Sequence, residues 1–275
     1  MDGAGVEAGA ANDANNANEP GAPPLLSVAA GGLATITLRR PRHLNRLQRE
    51  DLATLQDLFK QVASDKALRV LVLTGTGRVF SAGFDLGALA QPGDGANADP
   101  ELFAHTVDQL QALPLPTIAR LNGSVYGGAT DLALACDFRV GAAGMALRMP
   151  AARLGLHYYP NGLRRYVSRL GLATAKRLFL LADSVPAAEL LALGYLDRLA
   201  EPRQLDAEVQ RIADALAAGA PLALRGMKAS LNEIARGEFD LTRLGEREAL
   251  CAASADLQEG KAAFAEKRAP SFAGR

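Results

Sequence analysis

The sequence predicts an α/β protein with a long helical region towards its C-terminal end. Two observations lead to this fold class. In the first half, short apolar runs rich in β-branched residues alternate with stretches of helical periodicity. After Gly162 only helical periods follow one another, separated by glycines and prolines. The order of the elements therefore favours a sheet with a set of helices added after it.

The first three elements are predicted to be a strand, a helix and a strand. Residues Leu33 to Leu38 alternate, and Pro41 ends this strand because proline cannot donate to a β ladder. Apolar residues at helical spacing predict a helix from Gln48 to Ala63. The run Arg69 to Thr74 is typical of a strand covered on both faces. Together they indicate a βαβ crossover.

The pattern continues through the middle of the chain. A helical period covers Pro100 to Leu113, and Thr117 to Leu121 predicts another buried strand. A short helix entered through glycines is predicted over Gly127 to Cys136, before a strand over Phe138 to Gly141. The later helices are expected at 203–217, 221–235, 239–253 and 256–267.

Residues 1–24 are predicted to form a disordered tail. They are mostly Ala, Gly, Asn and Pro, which cannot bury enough apolar surface to offset chain entropy. The tail contains four acidic residues and neither Lys nor Arg, so it does not resemble a secretory signal or a transit peptide. Because the whole chain has 30 basic and 30 acidic residues, the remainder carries about four more basic than acidic residues.

Composition and motifs exclude several classes of protein. With a net charge of zero, no overall field attracts nucleic acid, so no nucleic-acid partner is expected. No apolar run reaches the roughly 18 residues of a membrane span. Cys136 and Cys251 indicate reduced thiols of a cytoplasmic protein rather than a disulfide framework. The sequence contains no Walker loop, His-Glu-x-x-His, Cys-x-x-Cys or Gly-x-Ser-x-Gly motif, which disfavours a metal enzyme or a serine hydrolase.

Two glycine-bearing segments each follow a predicted strand. Phe80 to Leu86 leaves one strand through a turn, and Asn122 to Asp131 leaves another directly into a helix. Each segment is able to present a free backbone N–H, and glycine permits a close approach of substrate. Two such donors, one at the positive end of a helix, suit the developing oxyanion of a carbonyl compound. A pair of ordinary tight turns is the alternative.

Four segments in a fixed order carry a family resemblance. They are Arg40 to Leu47, Val70 to Asp85, Asn122 to Asp137 and Glu259 to Arg268. Each is a weak signal alone, whereas the four in this order are specific. Over about residues 25 to 275, the sequence resembles the enoyl-CoA hydratase/isomerase, or crotonase, superfamily.

The resemblance implies a crotonase-like spiral of ββα units with a helical trimerisation region. Residues 25–200 would form the spiral core, and residues 201–275 the C-terminal helical oligomerisation region. A homotrimer or a hexamer is expected. The implied ligand is an acyl-CoA thioester, which is the substrate, and the resemblance implies neither a metal nor a redox cofactor.

The resemblance also assigns two oxyanion donors and a set of ligand contacts. By motif match, the N–H groups of Phe84 and Gly128 would hold the thioester oxygen and stabilise an enolate. Phosphate contacts would come from Arg42 and from Lys267 of a neighbouring subunit, with solvated surface charges as the alternative. The expected lining of the CoA channel comprises Ala82, Phe84, Asp85 and Leu86.

The carboxylates depart from the hydratase pattern. Hydratases of this family place one glutamate three residues beyond the second oxyanion glycine and another after a later proline. Those places hold Asp131 and Ala151 here. The usual addition of water uses two carboxyl groups, so Asp131 is the single expected acid/base. A carboxylate on the helix surface is the alternative for Asp131.

A polar aromatic segment is expected over the acyl pocket. His157, Tyr158 and Tyr159 stand where hydratases of this family are usually glycine-rich and apolar. His157 and Tyr159 are candidate catalytic proton donors, and Tyr158 is a candidate wall of an aromatic acyl pocket; loop packing is the alternative. Dienoyl-CoA isomerases share an aspartate at the place of Asp131 but add two acids, at places that hold Ala151 and Tyr159 here.

The leading hypothesis is hydration of an enoyl-CoA, with Asp131 as acid/base. Isomerisation, decarboxylation and thioester hydrolysis proceed through the same enolate and are favoured by Ala151, which removes the second carboxylate. A non-catalytic acyl-CoA binder is the hypothesis of another class.

Overall fold

The computed structural model describes residues 21–85 and 101–275. The strands of this part of the chain are β1 (Ala22–Ala29), β2 (Leu33–Arg39), β3 (Val70–Gly75), β4 (Val79–Ser81), β5 (Thr117–Leu121), β6 (Ser124–Tyr126), β7 (Phe138–Ala142), β8 (Ala146–Arg148), β9 (Val185–Pro186) and β10 (Arg198–Ala200). Its α-helices are α1 (Arg49–Ser64), α2 (Leu102–Ala112), α3 (Gly128–Ala135), α4 (Pro160–Lys176), α5 (Ala187–Ala192), α6 (Leu205–Ala217), α7 (Pro221–Arg236), α8 (Leu241–Ala252) and α9 (Ala255–Glu266).

The strands form two sheets. The larger sheet has the order β1-β2-β3-β5-β7-β10, and the smaller has the order β4-β6-β8-β9. Within the larger sheet only β1 and β2 pair antiparallel, and β3 is buried at every residue. The prediction of a central strand covered on both faces is therefore confirmed.

Successive pairs of strands divide between the two sheets. β3 and β4 are followed by α2, and β5 and β6 by α3. Each such unit contributes its first strand to the larger sheet and its second to the smaller one, and the chain then returns through a helix. This repetition is the predicted spiral of ββα units. Its consequence for function is that the turns after β4 and β6 lie side by side, because these strands are parallel neighbours.

The helices bury the faces that the sequence predicts. In α1, Leu52, Leu55, Phe59 and Val62 are buried in the main apolar core. The helix begins with a capping box in which Gln48 and Asp51 satisfy each other's backbone N–H groups. α4 is interrupted at Gly171, whose φ of 77° is outside the helical range.

The N-terminal end of the spiral differs from the sequence-based expectation. Strand β1 was not predicted, and it begins at Ala22, three residues inside the expected tail. Pairing with β2 orders this segment, because Leu25 and Leu26 lie opposite Thr37 and Ile36. The rest of the expected tail, residues 1–20, lies outside the described residues.

Candidate active site

The turn after β4 presents the first candidate donor, the N–H of Phe84. The Gly83 carbonyl accepts a hydrogen bond from the Leu47 N–H at 2.8 Å, and the Asp85 N–H donates to the Leu47 carbonyl at 2.9 Å. In such a parallel bridge the middle residue, Phe84, directs its own N–H away from the partner strand. The hydrogen bond to the Gly83 carbonyl fixes the orientation of the peptide between Gly83 and Phe84. Because this peptide is trans, the Phe84 N–H points away from Leu47.

A chain of buried hydrogen bonds holds the other side of Gly83. Its N–H donates to the Ser81 hydroxyl at 3.1 Å, and that hydroxyl donates to the Asn45 carbonyl at 2.7 Å. The Asn45 side chain in turn donates to the carbonyls of Thr76 at 2.8 Å and Val79 at 2.9 Å. Both polar groups of Gly83 are therefore engaged, which limits rotation of the peptide that carries the donor.

The turn after β6 presents the second candidate donor, the N–H of Gly128. The Gly127 carbonyl accepts from the Thr130 N–H at 3.0 Å and from the Thr130 hydroxyl at 2.7 Å. Gly128 is the first residue of α3, so its N–H has no helical carbonyl to pair with. The Tyr195 hydroxyl fixes the same helical turn by donating to the Thr130 carbonyl at 2.7 Å.

The two donor segments are in contact. A Cβ atom added to Gly83 would lie 2.6 Å from the Tyr126 carbonyl oxygen and 3.0 Å from the Gly128 nitrogen. No described residue accepts a hydrogen bond from the N–H of Phe84 or of Gly128. Two adjacent N–H groups of this kind are suited to hold an oxygen on which negative charge develops.

Asp131 lies one turn into α3, completely enclosed. Its side chain is 0% exposed and forms an ion pair with the buried guanidinium of Arg165, with 2.7 Å between Oδ1 and the guanidinium nitrogen. Its other oxygen, Oδ2, accepts from the Tyr158 hydroxyl at 3.2 Å and from the Tyr159 hydroxyl at 2.5 Å. The predicted acid/base therefore stands beside the donors, but side chains of the protein surround it.

Burial and charge determine the protonation of this cluster. Burial raises the pKa of the Tyr158 and Tyr159 hydroxyls, and the negative charge of Asp131 raises both further. For Arg165, burial is the largest single effect and acts to lower the pKa, but the charge of Asp131, the adjacent Tyr159 and the hydrogen bonds to both together raise the pKa above its ordinary value. Near neutral pH both phenols are therefore uncharged and the guanidinium is charged.

Aromatic rings connect the donors to the acid cluster. The rings of Phe84 and Phe103 lie 5.9 Å apart, and Phe103 meets Tyr159 edge to face at 6.0 Å. A Cβ atom on Gly128 would lie 2.7 Å from the tip of Phe103, so this ring packs directly over the second donor. Aromatic rings therefore line the path from the donors to the acid cluster.

Other predicted site residues lie apart from this cluster. His157 is exposed, and its ring nitrogen Nδ1 contacts the Tyr158 carbonyl at 2.9 Å. Ala151 is buried at the start of a short 3₁₀ helix, and no carboxylate occupies its place. Arg42 and Lys267 are both exposed.

The predicted channel segment is only partly described. Ala82 donates its N–H to the Leu44 carbonyl at 2.8 Å, and the Asp85 carboxylate pairs with Arg46 at 3.3 Å. The next predicted residue of the channel, Leu86, lies outside the described residues.

Sequence reasoning did not single out Arg165 or Phe103. Arg165 follows Gly162 by three residues and precedes Tyr166, and all three are buried on one face of α4. A cation within a buried helical stripe is the signal that would have identified Arg165, because a buried charge requires a partner. Phe103 gave no comparable signal, since an aromatic residue near a helix start is ordinary.

The described residues contain neither a cluster of metal-binding side chains nor a membrane-spanning helix. No group of three or more His, Cys, Asp and Glu side chains in residues 21–85 and 101–275 is arranged to hold a metal ion. Over the same residues, no helix combines the length and the apolar character needed to cross a membrane.

Comparison with known proteins places the chain and its fold in one family. The sequence profile described as enoyl-CoA hydratase/isomerase matches residues 29–275. The chain belongs to the enoyl-CoA hydratase/isomerase family. The recognition made from the four ordered segments is thereby confirmed.

Relatives named for different activities match almost the whole chain. Crotonyl-CoA hydratase of Syntrophomonas wolfei is 32% identical over 244 residues, which are 87% of this chain and 94% of the relative. The 1,2-epoxyphenylacetyl-CoA isomerase of Escherichia coli is 32% identical over 265 residues, which are 91% of this chain and 98% of the relative. A crystal structure of an enoyl-CoA hydratase/carnithine racemase from Magnetospirillum magneticum superimposes with a TM-score of 0.85 at 30% identity, covering 92% of this chain and 96% of that one. The family is thus clear, and its members carry out more than one reaction.

Proposed function

We propose that this enzyme hydrates an enoyl-CoA thioester, with the N–H groups of Phe84 and Gly128 as its oxyanion hole. The main support for this proposal is that the two donor segments are in contact and that hydrogen bonds fix both of their carbonyls. The Gly83 carbonyl accepts from Leu47, and the Gly127 carbonyl accepts from Thr130. When water adds at Cβ, charge develops on the thioester oxygen, and both donors meet it without reorganisation. Loss of one donor from such a hole typically costs ~10²–10³ in rate.

The activities for which the relatives are named support the substrate class. Crotonyl-CoA hydratase of S. wolfei and 2,3-dehydroadipyl-CoA hydratase of E. coli are each 32% identical to this chain. Both names describe addition of water to an unsaturated CoA ester. No cofactor enters the proposed reaction, since the thioester itself provides the electron sink.

Isomerisation is the second candidate, and Ala151 favours it. A buried methyl group occupies the place where the hydratase pattern has its second carboxylate, so one acid cluster must serve every proton transfer. Moving a double bond needs a proton removed and returned, which one acid/base achieves. The similarity to 1,2-epoxyphenylacetyl-CoA isomerase agrees with this reading, and decarboxylation or thioester hydrolysis would use the same enolate.

The nucleotide end of CoA is expected to meet exposed cations. Arg42 and Lys267 are both exposed and positively charged, as phosphate contacts require. Lys267 ends α9 and would reach a neighbouring protomer's ligand in a homotrimer. Apolar side chains left on the surface of the C-terminal helices support such an assembly, or a hexamer built from two trimers. The two free thiols, Cys136 and Cys251, are consistent with a cytoplasmic enzyme.

A panel of CoA esters in ¹⁸O-labelled water tests the proposed reaction. Hydration adds the labelled oxygen to the product, whereas isomerisation leaves its mass unchanged. Gly128→Val should reduce turnover by at least ~10² because its side chain would displace Phe103 and obstruct the donor.

Gly245→Val is the matched control, because a Cβ atom there meets no atom within 4 Å. A wild-type chain that binds no CoA ester by calorimetry would contradict the proposed function. Binding without turnover would instead favour the non-catalytic acyl-CoA binder.

A further inference from the structure

The catalytic carboxylate has no direct path to a bound acyl group. Asp131 is 0% exposed, and its two oxygens are occupied by Arg165, Tyr158 and Tyr159. A carboxylate enclosed in this way exchanges a proton only with an atom that already touches it. Arg165 retains its proton, so the two phenols are the groups through which Asp131 is able to act.

The two phenols differ in their access to the pocket. Tyr158 is 8% exposed and packs against Phe179 at 5.1 Å, on the side of the core. Tyr159 keeps an intermediate exposure, and its ring contacts Phe103, the ring that covers the Gly128 donor. Of the two phenols, Tyr159 is therefore the one that joins the acid to the ring beside the second donor.

We propose that Tyr159 and Asp131 form a proton relay in which Tyr159 Oη touches the substrate and Asp131 stores the proton. This inference rests on the proposed function and names the groups that carry out its proton transfers. As water attacks Cβ, the water O–H bond breaks and its proton moves to Tyr159 Oη. In the same step the phenolic proton moves to Asp131 Oδ2, and the electron pair of the double bond becomes the enolate.

The second half of the reaction returns the same proton. Asp131 gives its proton back to Tyr159 Oη, and the proton already on Tyr159 forms the new C–H bond at Cα. The sum is one molecule of water added, with Tyr159 and Asp131 restored. No second carboxylate is needed, which accounts for Ala151 at the place of the missing acid. For isomerisation the relay removes the proton from Cγ and returns it to Cα.

Arg165 is a positioning residue that binds Asp131 and has further hydrogen-bond partners of its own. Its guanidinium donates to Asp131 at 2.7 Å, to Gln111 at 2.9 Å and to Asp108 at 2.6 Å. When Asp131 accepts the proton, Arg165 keeps a second carboxylate partner in Asp108, so the buried cation is not left unpaired. The same contact fixes the orientation of the Asp131 carboxylate, with Oδ1 on the guanidinium and Oδ2 on the phenols.

The protonation of Tyr159 agrees with a relay and disagrees with a free phenolate base. Burial raises the pKa of Tyr159, and the adjacent Asp131 charge raises it further. A phenolate next to Asp131 would place two negative charges in contact. In the relay, Tyr159 gives its proton to Asp131 as it receives another from the substrate side, so a phenolate never forms beside the carboxylate.

Tyr159→Phe, with Tyr158→Phe as matched control, tests the relay. Each change removes one hydroxyl from the same carboxylate oxygen and keeps the ring. We expect Tyr159→Phe to lower kcat by ~10²–10⁴ while the KM for the CoA ester changes less than about threefold. Tyr158→Phe should lower kcat by less than about tenfold. Equal losses in the two variants, or full activity of Tyr159→Phe, would overturn the relay.

A double-mutant cycle separates the relay from a structural role. Asp131→Asn keeps the shape and removes the proton store, so it should lose as much kcat as Tyr159→Phe. The double variant should have the same kcat as either single variant, because loss of one member already stops proton transfer through the relay. Losses that multiply would show that the two groups act independently and would contradict the proposal.

A second readout distinguishes failure of the relay from failure of the proposed function. Exchange of the Cα protons of butyryl-CoA with deuterated water requires the enolate and the relay, but no double bond. Wild-type exchange that disappears in Tyr159→Phe and persists in Tyr158→Phe supports the relay even where another reaction than hydration is catalysed. Exchange at wild-type rate in Tyr159→Phe overturns it, even where hydration itself is established.

Discussion

Gly83 shows how a single residue without a side chain keeps the two donors together. Its φ is +89°, and the space where a Cβ atom would lie is taken by the Tyr126 carbonyl and the Gly128 nitrogen. Both obstacles are backbone atoms of the second donor segment, so no side-chain rotation is able to relieve the collision. Glycine is required here for two reasons, the left-handed backbone and the close approach of the strands.

Alanine substitution separates these two reasons. Gly144 has a nearly equal φ of +86°, with no atom within 4 Å of its virtual Cβ. Gly144→Ala should therefore lower the free energy of unfolding by about 1–2 kcal/mol, which is the cost of placing a residue with a Cβ atom in the left-handed conformation. Gly83→Ala should cost more in urea unfolding and lower kcat by at least ~10², because the donor segments must separate. Equal stability and activity of the two variants would refute the steric role of Gly83.

The site residues differ in how far sequence identified them. The two glycine-bearing segments follow from local patterns, whereas the family resemblance singled out Phe84, Gly128 and Asp131 within them. The structure places the two segments in contact. Arg165 was not identified because its partner, Asp131, is 34 residues away in sequence. Only the packing of α4 against α3 brings the two charges into contact.

Among the elements, the C-terminal segment after α9 is held by acids of that helix. Glu259 accepts from Arg268 at 2.6 Å and from the Ser271 N–H at 2.8 Å. Asp256 similarly accepts from the Ala273 N–H at 2.7 Å. The segment thereby folds back along the helix whose end carries Lys267, the candidate phosphate contact.

The contact at Glu259 should weaken at acidic pH. The Arg268 hydrogen bond, with a smaller effect from the Ser271 N–H, lowers the pKa of Glu259 from 4.5 to about 2. Because the folded value is the lower one, the stabilisation is complete above about pH 4.5 and is lost as the pH falls towards 2. Hydrogen exchange of the peptide 268–275, measured against Glu259→Gln at the same pH, should show wild-type protection at pH 5 that disappears near pH 2.

Glu266→Gln is the control for this titration. Glu266 pairs with Arg268 at 2.6 Å but accepts no backbone N–H of the segment. Its replacement should leave most of the protection at pH 5. Protection in the wild type that is independent of pH, or already absent at pH 5, would exclude Glu259 as the group responsible.

At the scale of the whole molecule, the C-terminal helices leave an apolar surface uncovered. On α7, Met227, Leu231 and Ile234 lie at helical spacing and are 55%, 65% and 49% exposed. Phe264 on α9 is 88% exposed. Large exposed side chains that share one face of a helix, as on α7, are typical of an interface, which agrees with the proposed homotrimer.

Sedimentation should show an assembly of three or six chains of 28.8 kDa each. Leu231→Glu should dissociate it, because a carboxylate buried in an apolar interface has no partner. Leu231→Met is the matched control and should leave the assembly intact, since it preserves the apolar volume. A wild-type chain that sediments as a monomer, or an unchanged assembly in Leu231→Glu, would contradict this interface.

The sequence by itself determined the central strands β2, β3, β5 and β7, the two glycine-bearing turns and the family, and it predicted Asp131 as the acid of the site. These features depend on neighbours within a few residues, where spacing and glycine conformation are decisive. Only the tertiary structure decided what surrounds Asp131, namely a buried guanidinium and two phenols, and which ring covers Gly128. The physical reason is that these contacts join α2, α3 and α4 across long separations in sequence. Which side chains of one helix contact the next helix depends on the packing of the entire core.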